Sequence, residues 1–381
     1  MSALKLPGYE TVALVLQGGG ALGSYQAGVY QGLHEAGVMP NWFCGISIGA
    51  LNAAILAGNP PELRLERLTE FWDTICSSAV FPDWSANDRF LPPLGTGDIR
   101  AAANAFAATR ALFEGQRGFY KPRLLPPFFV AGGGPEATSY YDTAPLKETL
   151  ERLVDFDRIN SREVRVSVGA VDVETGNFAY FDNANRTLRP EHFMASGALP
   201  PGFPAVEIDG RHYWDGGLIS NTPLVEVLNH PPRRDSLAFQ VDLWSARGSM
   251  PKNVFDVMER TKDIQYSSRT RVGTDMSLEI QKLRRTVRML LQKLPESMVD
   301  DPDVASARDL SCSKVNNVIH LIYQNKAFEA YHKDYEFSRL TMREHWESGL
   351  EDIRNTLSHP EWLERPNNEA GVVTHDVHRH R

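Results

Sequence analysis

Residues 45–49 read Gly-Ile-Ser-Ile-Gly, so that Ser47 stands between Gly45 and Gly49. The apolar run Trp42–Cys44 precedes this segment, and a stretch of small and aliphatic residues follows it. We expect a strand, a tight turn and a helix, because flanking glycines let the backbone bend and leave the serine oxygen exposed. The first amides of such a helix favour negative charge at the turn. Ser47 is therefore a candidate nucleophile, and the alternative is a serine that only caps the helix.

A second glycine-rich segment, Gly-Gly-Gly-Ala-Leu-Gly, covers residues 18–23 and follows the apolar run Val12–Leu16. Consecutive glycines after a strand can point several backbone amides into one space, which creates a site for a phosphate or for the oxyanion of acyl transfer. The alternative is a turn that needs positive φ and nothing more. The candidate oxyanion donors are Gly18, Gly19 and Gly20, with Gly23 supporting the turn.

The same loop matches the dinucleotide-binding pattern as Gly18-x-Gly20-x-x-Gly23. That pattern requires an acidic residue about 20 positions further on, to bind a ribose hydroxyl. The sequence there is Trp-Phe-Cys-Gly, at residues 42–45, and it contains no acid. No Gly-Lys-Ser/Thr follows the loop either, so a phosphate-binding P-loop is excluded. A nicotinamide-dependent oxidoreductase therefore stays a minor alternative.

An Asp-Gly-Gly segment places Asp215 at the end of a predicted strand, with Gly216 and Gly217 behind it. Glycines at this point would let the carboxylate approach Ser47 without obstruction, and the carboxylate could then act as a general base. Taken alone, Asp-Gly is an ordinary turn sequence. A histidine-containing triad is the other option, but none of the later histidines has a recognisable setting. These histidines are His230, His320, His332, His345 and His359. A Ser-Asp dyad fits a nucleophile this early in the chain better.

The elements around these motifs predict an α/β fold. Strand, glycine turn and helix occur twice before residue 58, which is typical of βαβ units in a mainly parallel sheet. Asp209-Gly210 between two short strand-like runs predicts a hairpin. Residues 115–141, rich in proline, glycine and aromatic residues, predict a long irregular segment, which is either a functional cover or an ordinary surface excursion.

The pattern changes after about residue 250. Residues 253–294 are charged and periodic, and we predict that they are mostly helical. We also predict a strand over residues 315–323 and another helix over residues 338–357. The polar tail from residue 366 onward carries His375, His378 and His380, which we interpret as a disordered end rather than as a metal site.

The chain has 381 residues, of which 42% are hydrophobic and 23% are charged, and its formal net charge is −8. These are values of a globular protein, and the excess of negative charge disfavours dedicated nucleic-acid binding. The three cysteines, Cys44, Cys76 and Cys312, lie too far apart for a disulfide or zinc pattern, which indicates a reducing compartment. No apolar stretch reaches the roughly 18 residues of a membrane-spanning helix. We therefore expect a cytoplasmic protein whose membrane contact would be peripheral.

Taken together, these motifs resemble those of the patatin-like phospholipases. The resemblance consists of the glycine loop, the Gly-x-Ser-x-Gly turn and the Asp-Gly-Gly segment in this order, over about residues 12–228. Further matches are Ala-Ser-Gly-Ala-Leu-Pro at residues 195–200, Phe-Pro at residues 203–204 and Asn221-x-Pro223. One position departs from the family, whose loop commonly carries arginine or lysine where this chain has Leu22.

The resemblance implies a three-layer α/β/α catalytic domain with a mainly parallel central sheet over residues 12–228. Residues 229–381 would form a largely helical C-terminal extension with one or two further strands and a flexible tail. It also implies a serine esterase acting on lipid acyl esters without a metal or organic cofactor. Ser47 would be the nucleophile, Asp215 the base, and the amides of residues 18–20 the oxyanion donors, with Gly45, Gly49, Gly216 and Gly217 as supporting turn residues.

Further questions stay open at the level of the sequence. An acyltransferase would share the acyl-enzyme of a hydrolase, and a non-catalytic lipid-binding protein would keep the motifs as a relic. Apolar residues at helical spacing between Ile280 and Leu294 alternate with lysines and arginines, so this helix either packs on its own domain or lies on an anionic membrane. The head group, the acyl-chain preference and the oligomeric state are not encoded in any motif.

Overall fold

The computed structural model describes residues 4, 6–77, 98–298, 300–326, 329–366 and 371–378. The strands in these ranges are β1 (Thr11–Leu16), β2 (Trp42–Gly45), β3 (Lys121–Pro122), β4 (Tyr141–Asp142), β5 (Arg165–Asp172), β6 (Phe178–Asp182), β7 (Val206–Ile208), β8 (Arg211–Asp215), β9 (Ser236–Asp242), β10 (Asn316–Ile322) and β11 (Val372–Asp376). The helices are α1 (Ser24–Glu35), α2 (Ile48–Ala57), α3 (Pro61–Ile75), α4 (Asp98–Glu114), α5 (Pro135–Thr138), α6 (Ala144–Leu153), α7 (Phe156–Asn160), α8 (Pro190–Ser196), α9 (Leu224–Asn229), α10 (Val254–Leu291), α11 (Pro302–Leu310) and α12 (Arg339–Leu357).

The core of the fold is a nine-stranded mixed sheet in the order β11-β10-β9-β1-β2-β5-β8-β7, with β6 also paired to β5. The six strands from β11 to β5 in this order are mutually parallel, whereas β6, β7 and β8 pair in antiparallel fashion. Every residue of β1 is buried, as a central strand covered on both faces requires. The expected mainly parallel α/β sheet is therefore confirmed.

Side chains that alternate along β1 enter two separate hydrophobic clusters. Leu14 and Leu16 belong to the larger cluster, together with buried residues of α1, α2, α3 and α12. Ala13 and Val15 belong to the other cluster, with Leu224 of α9. Because successive side chains of a strand point to opposite faces, helices cover both sides of the sheet. This is the three-layer α/β/α arrangement that the family resemblance implied.

The local predictions around the motifs agree with the structure. The strands, glycine turns and helices predicted before residue 58 are β1, α1, β2 and α2. The Asp-Gly hairpin joins β7 to β8, and both Asp209 and Gly210 adopt positive φ, at 52° and 79°. This conformation suits the twist of a two-residue hairpin.

The C-terminal region contributes more to the sheet than expected. It supplies three strands, β9, β10 and β11, where one or two were predicted. The prediction of a flexible tail is wrong for Val372–Asp376, which forms β11 parallel to β10. The β-branched pair at the start of β11 suits a strand, and the edge of β10 offers it hydrogen-bonding partners. The ring of His375 stacks on Trp362 at 5.3 Å, while His380 lies outside the described residues.

Helix α12 joins the C-terminal region directly to α1. A Cβ atom on Gly28 would lie 1.9 Å from the Trp346 carbonyl oxygen, and one on Gly349 would lie 2.0 Å from that of Tyr25. Glycines at these crossing points let the two backbones touch. The sheet and this helix pair therefore run through the boundary that the sequence placed at residue 228. In the described part of the chain, no helix combines the length and apolar character needed to cross a bilayer.

Candidate active site

Ser47 occupies the sharp turn between β2 and α2. Its backbone has φ 55° and ψ −125°, a conformation that residues other than glycine rarely adopt. A Cβ atom on Gly45 would lie 2.3 Å from the carbonyl oxygen of Gly49, and one on Gly49 would lie 2.3 Å from that of Leu16. Only glycine fits at either position, so the two glycines of the motif make the turn possible.

Ser196 at the end of α8 holds this strained turn in place. The Ser47 amide donates to the Ser196 carbonyl oxygen at 3.1 Å and to its hydroxyl oxygen at 3.0 Å. The same hydroxyl donates to the Gly169 carbonyl oxygen at 2.6 Å in β5. The segment around Ser196 belongs to the motifs that resemble the family, but the sequence alone predicted no role for this residue. Its position in the Ala-Ser-Gly-Ala-Leu-Pro match was the available signal.

Asp215 lies buried at the end of β8 and faces Ser47. Its carboxylate accepts a hydrogen bond from the Gly217 amide at 2.7 Å, and the Ser47 side chain is its other partner. Burial raises the pKa of Asp215 from 3.8 to about 7, and the hydrogen bonds from Ser47 and Gly217 oppose this rise. A Cβ atom on Gly216 would lie 2.6 Å from the Gly169 carbonyl oxygen, so glycine is needed behind the aspartate.

Gly18 is fixed from three sides. Its carbonyl oxygen accepts hydrogen bonds from Asn221 Nδ2 at 2.9 Å and from Trp244 Nε1 at 2.8 Å. Its amide donates to the Asn221 carbonyl oxygen at 3.2 Å. A Cβ atom here would lie 2.5 Å from Asn221 Oδ1 and 3.0 Å from the Ser47 Cβ. The glycine loop is therefore held against the serine turn, and the Gly18 amide is already occupied.

The next two amides of the loop have a different environment. Among the described residues, neither the Gly19 amide nor the Gly20 amide donates a hydrogen bond. Gly20 has φ 57°, and a Cβ atom there would lie 2.0 Å from the carbonyl oxygen of Asp334. A Cβ atom on Gly23 would lie 2.6 Å from Ile48 Cγ1, so the end of the loop packs tightly on α2.

Polar side chains beneath the loop anchor it although Leu22 carries no charge. Leu22 is fully buried in the hydrophobic core. Gln26 Nε2 donates to the Gln17 carbonyl oxygen at 2.7 Å, and Asn52 Nδ2 donates to the Gly23 carbonyl oxygen at 3.0 Å. Asn52 also donates to Gln26 Oε1 at 2.9 Å. This buried amide network links both ends of the loop to α1 and α2, where the family more often has a basic loop residue.

A cavity of about 310 Å³ opens at the serine. Ser47, Asp215 and the three glycines at residues 18–20 line its polar end, and no histidine is among the described residues around it. A larger polar groove of about 1240 Å³ elsewhere contains neither Ser47 nor Asp215. The apolar and aromatic part of the cavity wall comprises Ile48, Leu51, Leu112, Phe119, Tyr120, Tyr141, Leu199, Phe203, Trp244, Tyr266, Tyr335 and Phe337. Such a wall suits a hydrocarbon chain better than a polar ligand.

The C-terminal region forms one side of this cavity. Asp334 contacts the glycine loop, because its carbonyl oxygen accepts the Ala21 amide at 2.8 Å. Its carboxylate pairs with Lys262 of α10 at 2.7 Å. The neighbouring Lys333 is buried, pairs with Asp263 at 2.7 Å and lies 5.2 Å from the centre of the Trp244 ring. No role for this region could be predicted from the sequence, since none of these residues stands in a motif.

One cluster of potential metal ligands in the described part of the chain lies outside this cavity. Asp182, Glu226 and His230 bring ligand atoms within 4.8 Å of one another. The Asp182 carboxylate, however, already accepts hydrogen bonds from Arg165 at 2.7 Å and from Ser167 at 2.6 Å. A guanidinium in this position disfavours a cation, so we assign the cluster to the packing of the fold.

Fold and site together define an α/β protein in which a strained serine, a buried aspartate and a glycine loop meet near the carboxyl ends of parallel strands. A patatin-like phospholipase family model matches residues 14–228, more than half of the chain. A patatin phospholipase model matches residues 264–369. The chain belongs to the patatin-like phospholipase family, as its motifs indicated.

Two individual proteins match the chain, one in a short stretch of sequence and one in a structural comparison. A triacylglycerol lipase, ptl3 of Schizosaccharomyces pombe, is 48% identical over 70 residues. That match covers 18% of this chain and 14% of the yeast protein, so the chain spans only a small part of that relative's length. The crystal structure of VipD from Legionella pneumophila aligns with 92% of this chain and 67% of its own, at 15% identity and a TM-score of 0.38.

Proposed function

We propose that the protein is a serine lipid acyl hydrolase that uses Ser47 and Asp215 as a catalytic dyad. Family membership supports lipid esters as the substrate class, and the yeast relative is described as a triacylglycerol lipase. The observation that carries the proposal is the pairing of a strained Ser47 with a buried Asp215 whose pKa is raised to about 7. A base with such a pKa is matched to proton transfer at neutral pH.

In the first half-reaction, Ser47 Oγ attacks the ester carbonyl carbon and its proton passes to the Asp215 carboxylate. The bond to the alcohol oxygen then breaks, and Asp215 returns the proton to that oxygen as the alcohol leaves. In the second half-reaction, a water molecule attacks the acyl-enzyme and gives its proton to Asp215. The ester bond to Ser47 breaks, Oγ recovers the proton, and the fatty acid is released. The proposal requires no metal or organic cofactor.

We assign the oxyanion of the tetrahedral intermediates to the amides of Gly19 and Gly20. These two groups line the cavity beside Ser47 and have no acceptor among the described residues. The Gly18 amide, also expected as a donor from the sequence, already donates to Asn221. Gly18 then serves the site through its carbonyl oxygen, which Asn221 and Trp244 hold in place. Fixed donors of this kind stabilise developing charge without reorganisation.

The proposal is tested by treating the protein with a fluorophosphonate and mapping the adduct by mass spectrometry. We expect one adduct, on Ser47, because only an activated serine reacts at a useful rate. Emulsified triacylglycerol and phosphatidylcholine are then supplied separately, and the released fatty acid is measured. An adduct on another residue, or no adduct under conditions that label a control serine hydrolase, would contradict the dyad.

Hydrolysis and acyl transfer are separated in the same assay by adding a primary alcohol. Both reactions pass through the same acyl-enzyme, so they differ only in the acceptor of the second half-reaction. Free fatty acid as the main product is expected for the hydrolase. A new ester that replaces most of the free acid would identify a transferase instead.

Gly20→Ala tests the role of the glycine loop. A methyl group would meet the Asp334 carbonyl oxygen at 2.0 Å and would require a left-handed backbone, so the loop has to move. Loss of an oxyanion donor lowers kcat by about 10²–10³, and we expect an effect of this order in ester hydrolysis. Gly8→Ala is the control, because a Cβ atom there meets nothing within 4 Å and the residue does not line the cavity. Wild-type kcat in Gly20→Ala, with an unchanged melting temperature, would remove Gly20 from the proposal.

A further inference from the structure

A set of exposed apolar side chains adjoins the cavity at Ser47, and two of them, Leu112 and Leu199, line it. Phe128 and Phe129, on the segment between β3 and β4, are 80% and 79% exposed. We define the apolar rim as this segment together with the end of α4 and its neighbours. The rim comprises Leu112, Phe113, Leu124, Leu125, Phe128, Phe129, Tyr140 and Leu199, and each of these side chains is exposed.

Two sets of contacts connect the rim to the cavity. The ring of Phe128 packs on Tyr140 at 6.1 Å, and the Tyr140 amide donates to the carbonyl oxygen of Pro201, which lines the cavity. The hydroxyl of Tyr141 donates to the Leu112 carbonyl oxygen at 2.9 Å, and both residues line the cavity. The exposed rim is therefore the outer continuation of the apolar wall at which the ester would bind.

Helix α4 extends the rim as a stripe. Ile99, Phe106 and Phe113 are 72%, 71% and 78% exposed. Their spacing of seven residues places them on one face of the helix, over a length of roughly 20 Å. Contiguous apolar surface of this kind marks an interaction site on a soluble protein, since single exposed apolar residues are normally scattered.

We propose that the apolar rim is the surface through which the protein docks on a lipid bilayer, with the cavity mouth facing the acyl esters. The inference rests on the proposed function, because an enzyme for lipid esters must collect its substrate from a lipid phase. Docking by the rim carries an acyl chain from the bilayer to Ser47 along apolar surface. The transfer of aromatic and aliphatic side chains from water to the interfacial region of a bilayer lowers the free energy.

The charges near the rim favour insertion of its apolar side chains into the bilayer over electrostatic attraction to anionic lipids. Lys121 pairs with Asp142 at 3.2 Å, and Arg110 lies 3.8 Å from Glu114. The chain as a whole carries a net charge of −8. We therefore expect binding to phosphatidylcholine vesicles that increases little when anionic lipid is added.

Helix α10 offers a second exposed apolar surface, which the sequence had singled out. Leu283 and Leu290 are exposed there between lysines and arginines. Tyr266 is the α10 residue that lines the cavity, and it lies more than four helical turns before Leu283. A membrane bound at Leu283 would thus not meet the cavity mouth. This makes α10 a matched control for the rim.

The experiment measures co-flotation of Ser47→Ala protein with phosphatidylcholine vesicles, so that binding is read without turnover. In this background, Phe128→Ser with Phe129→Ser is expected to weaken partitioning by about tenfold or more. Leu283→Ser with Leu290→Ser is expected to leave partitioning unchanged. Melting temperatures within the error of the parent protein show that each variant is folded. Because Ser47 is absent throughout, failure of the dyad does not affect this result.

Three results would overturn the inference. The first is unchanged flotation of the rim variant, and the second is loss of flotation in the α10 variant alone. The third is a dimer in sedimentation velocity that dissociates when the rim is altered, because a second copy would then cover this surface. Fluorophosphonate labelling of the protein with Ser47 intact reports on the proposed function separately.

Discussion

Ser47→Ala is expected to lower kcat/KM for ester hydrolysis by about 10⁴ or more, as removal of the nucleophile does in other serine hydrolases. Alanine deletes the attacking oxygen and leaves the backbone of the turn, which Ser196 holds through hydrogen bonds to the Ser47 amide. The variant should therefore fold normally and should not react with a fluorophosphonate. The measurements are the initial rate on a soluble short-chain ester and the intact mass after labelling.

Ser348→Ala is the control for this change. The Ser348 hydroxyl donates to the Glu344 carbonyl oxygen at 2.9 Å within α12, away from the cavity. Wild-type rates are expected for this variant. The expected residual rate of Ser47→Ala is about 10⁻⁴ of the wild-type rate. A residual rate of about a tenth would show that another group is the nucleophile.

Asp215→Asn is expected to lower kcat by about 10³–10⁴, because the amide can accept the Gly217 hydrogen bond but cannot take a proton from Ser47. In the wild-type protein, kcat/KM should rise with pH and level off above an apparent pKa near 7, where Asp215 becomes ionised. The residual kcat/KM of Asp215→Asn should not show this rise with pH. An unchanged pH profile in Asp215→Asn would assign the base to another residue.

Asp215→Asn should raise the stability of the protein near pH 8, although it lowers kcat. Since burial raises the pKa of Asp215 above its unfolded value of 3.8, the unfolded chain releases its proton first as the pH increases. The wild-type protein then loses up to about 4 kcal/mol of stability between about pH 4 and pH 7. Asp215→Asn removes this loss, so the variant should unfold at a higher temperature than wild type near pH 8. The two should converge near pH 4.

Asp242 provides a matched comparison for the stability effect. It is buried near the end of β9, and burial raises its pKa to about 7 as well. It does not line the cavity. Asp242→Asn is therefore expected to raise the melting temperature near pH 8 with little effect on kcat. If both variants lost activity equally, the role of Asp215 as a base would not be supported.

Local signals explain why the serine turn, the glycine loop and the hairpin could be predicted from the sequence. Each depends on glycines within a few residues, such as Gly45 and Gly49, whose spacing alone defines the turn. The family resemblance then joined Asp215 to this turn. These three parts required no knowledge of distant contacts.

Residues that reach the site through distant pairing could not be predicted in this way. Trp244 arrives beside Gly18 because β9 pairs with β1, with Val241 opposite Leu16. Asp334 and Tyr335 lie on an irregular segment between β10 and α12, where no hydrophobic period predicts a contact. Strand β11 is only five residues long, and its partner edge on β10 exists only in the folded sheet.

The contact between Asp334 and the glycine loop has a consequence for biosynthesis. Because synthesis runs from the N-terminus, the serine turn and the glycine loop leave the ribosome well before Asp334 does. Until then, the Ala21 amide lacks its acceptor on Asp334 and one wall of the cavity is missing. A nascent chain that has not reached Asp334 therefore carries Ser47 and Asp215 but an unsupported glycine loop.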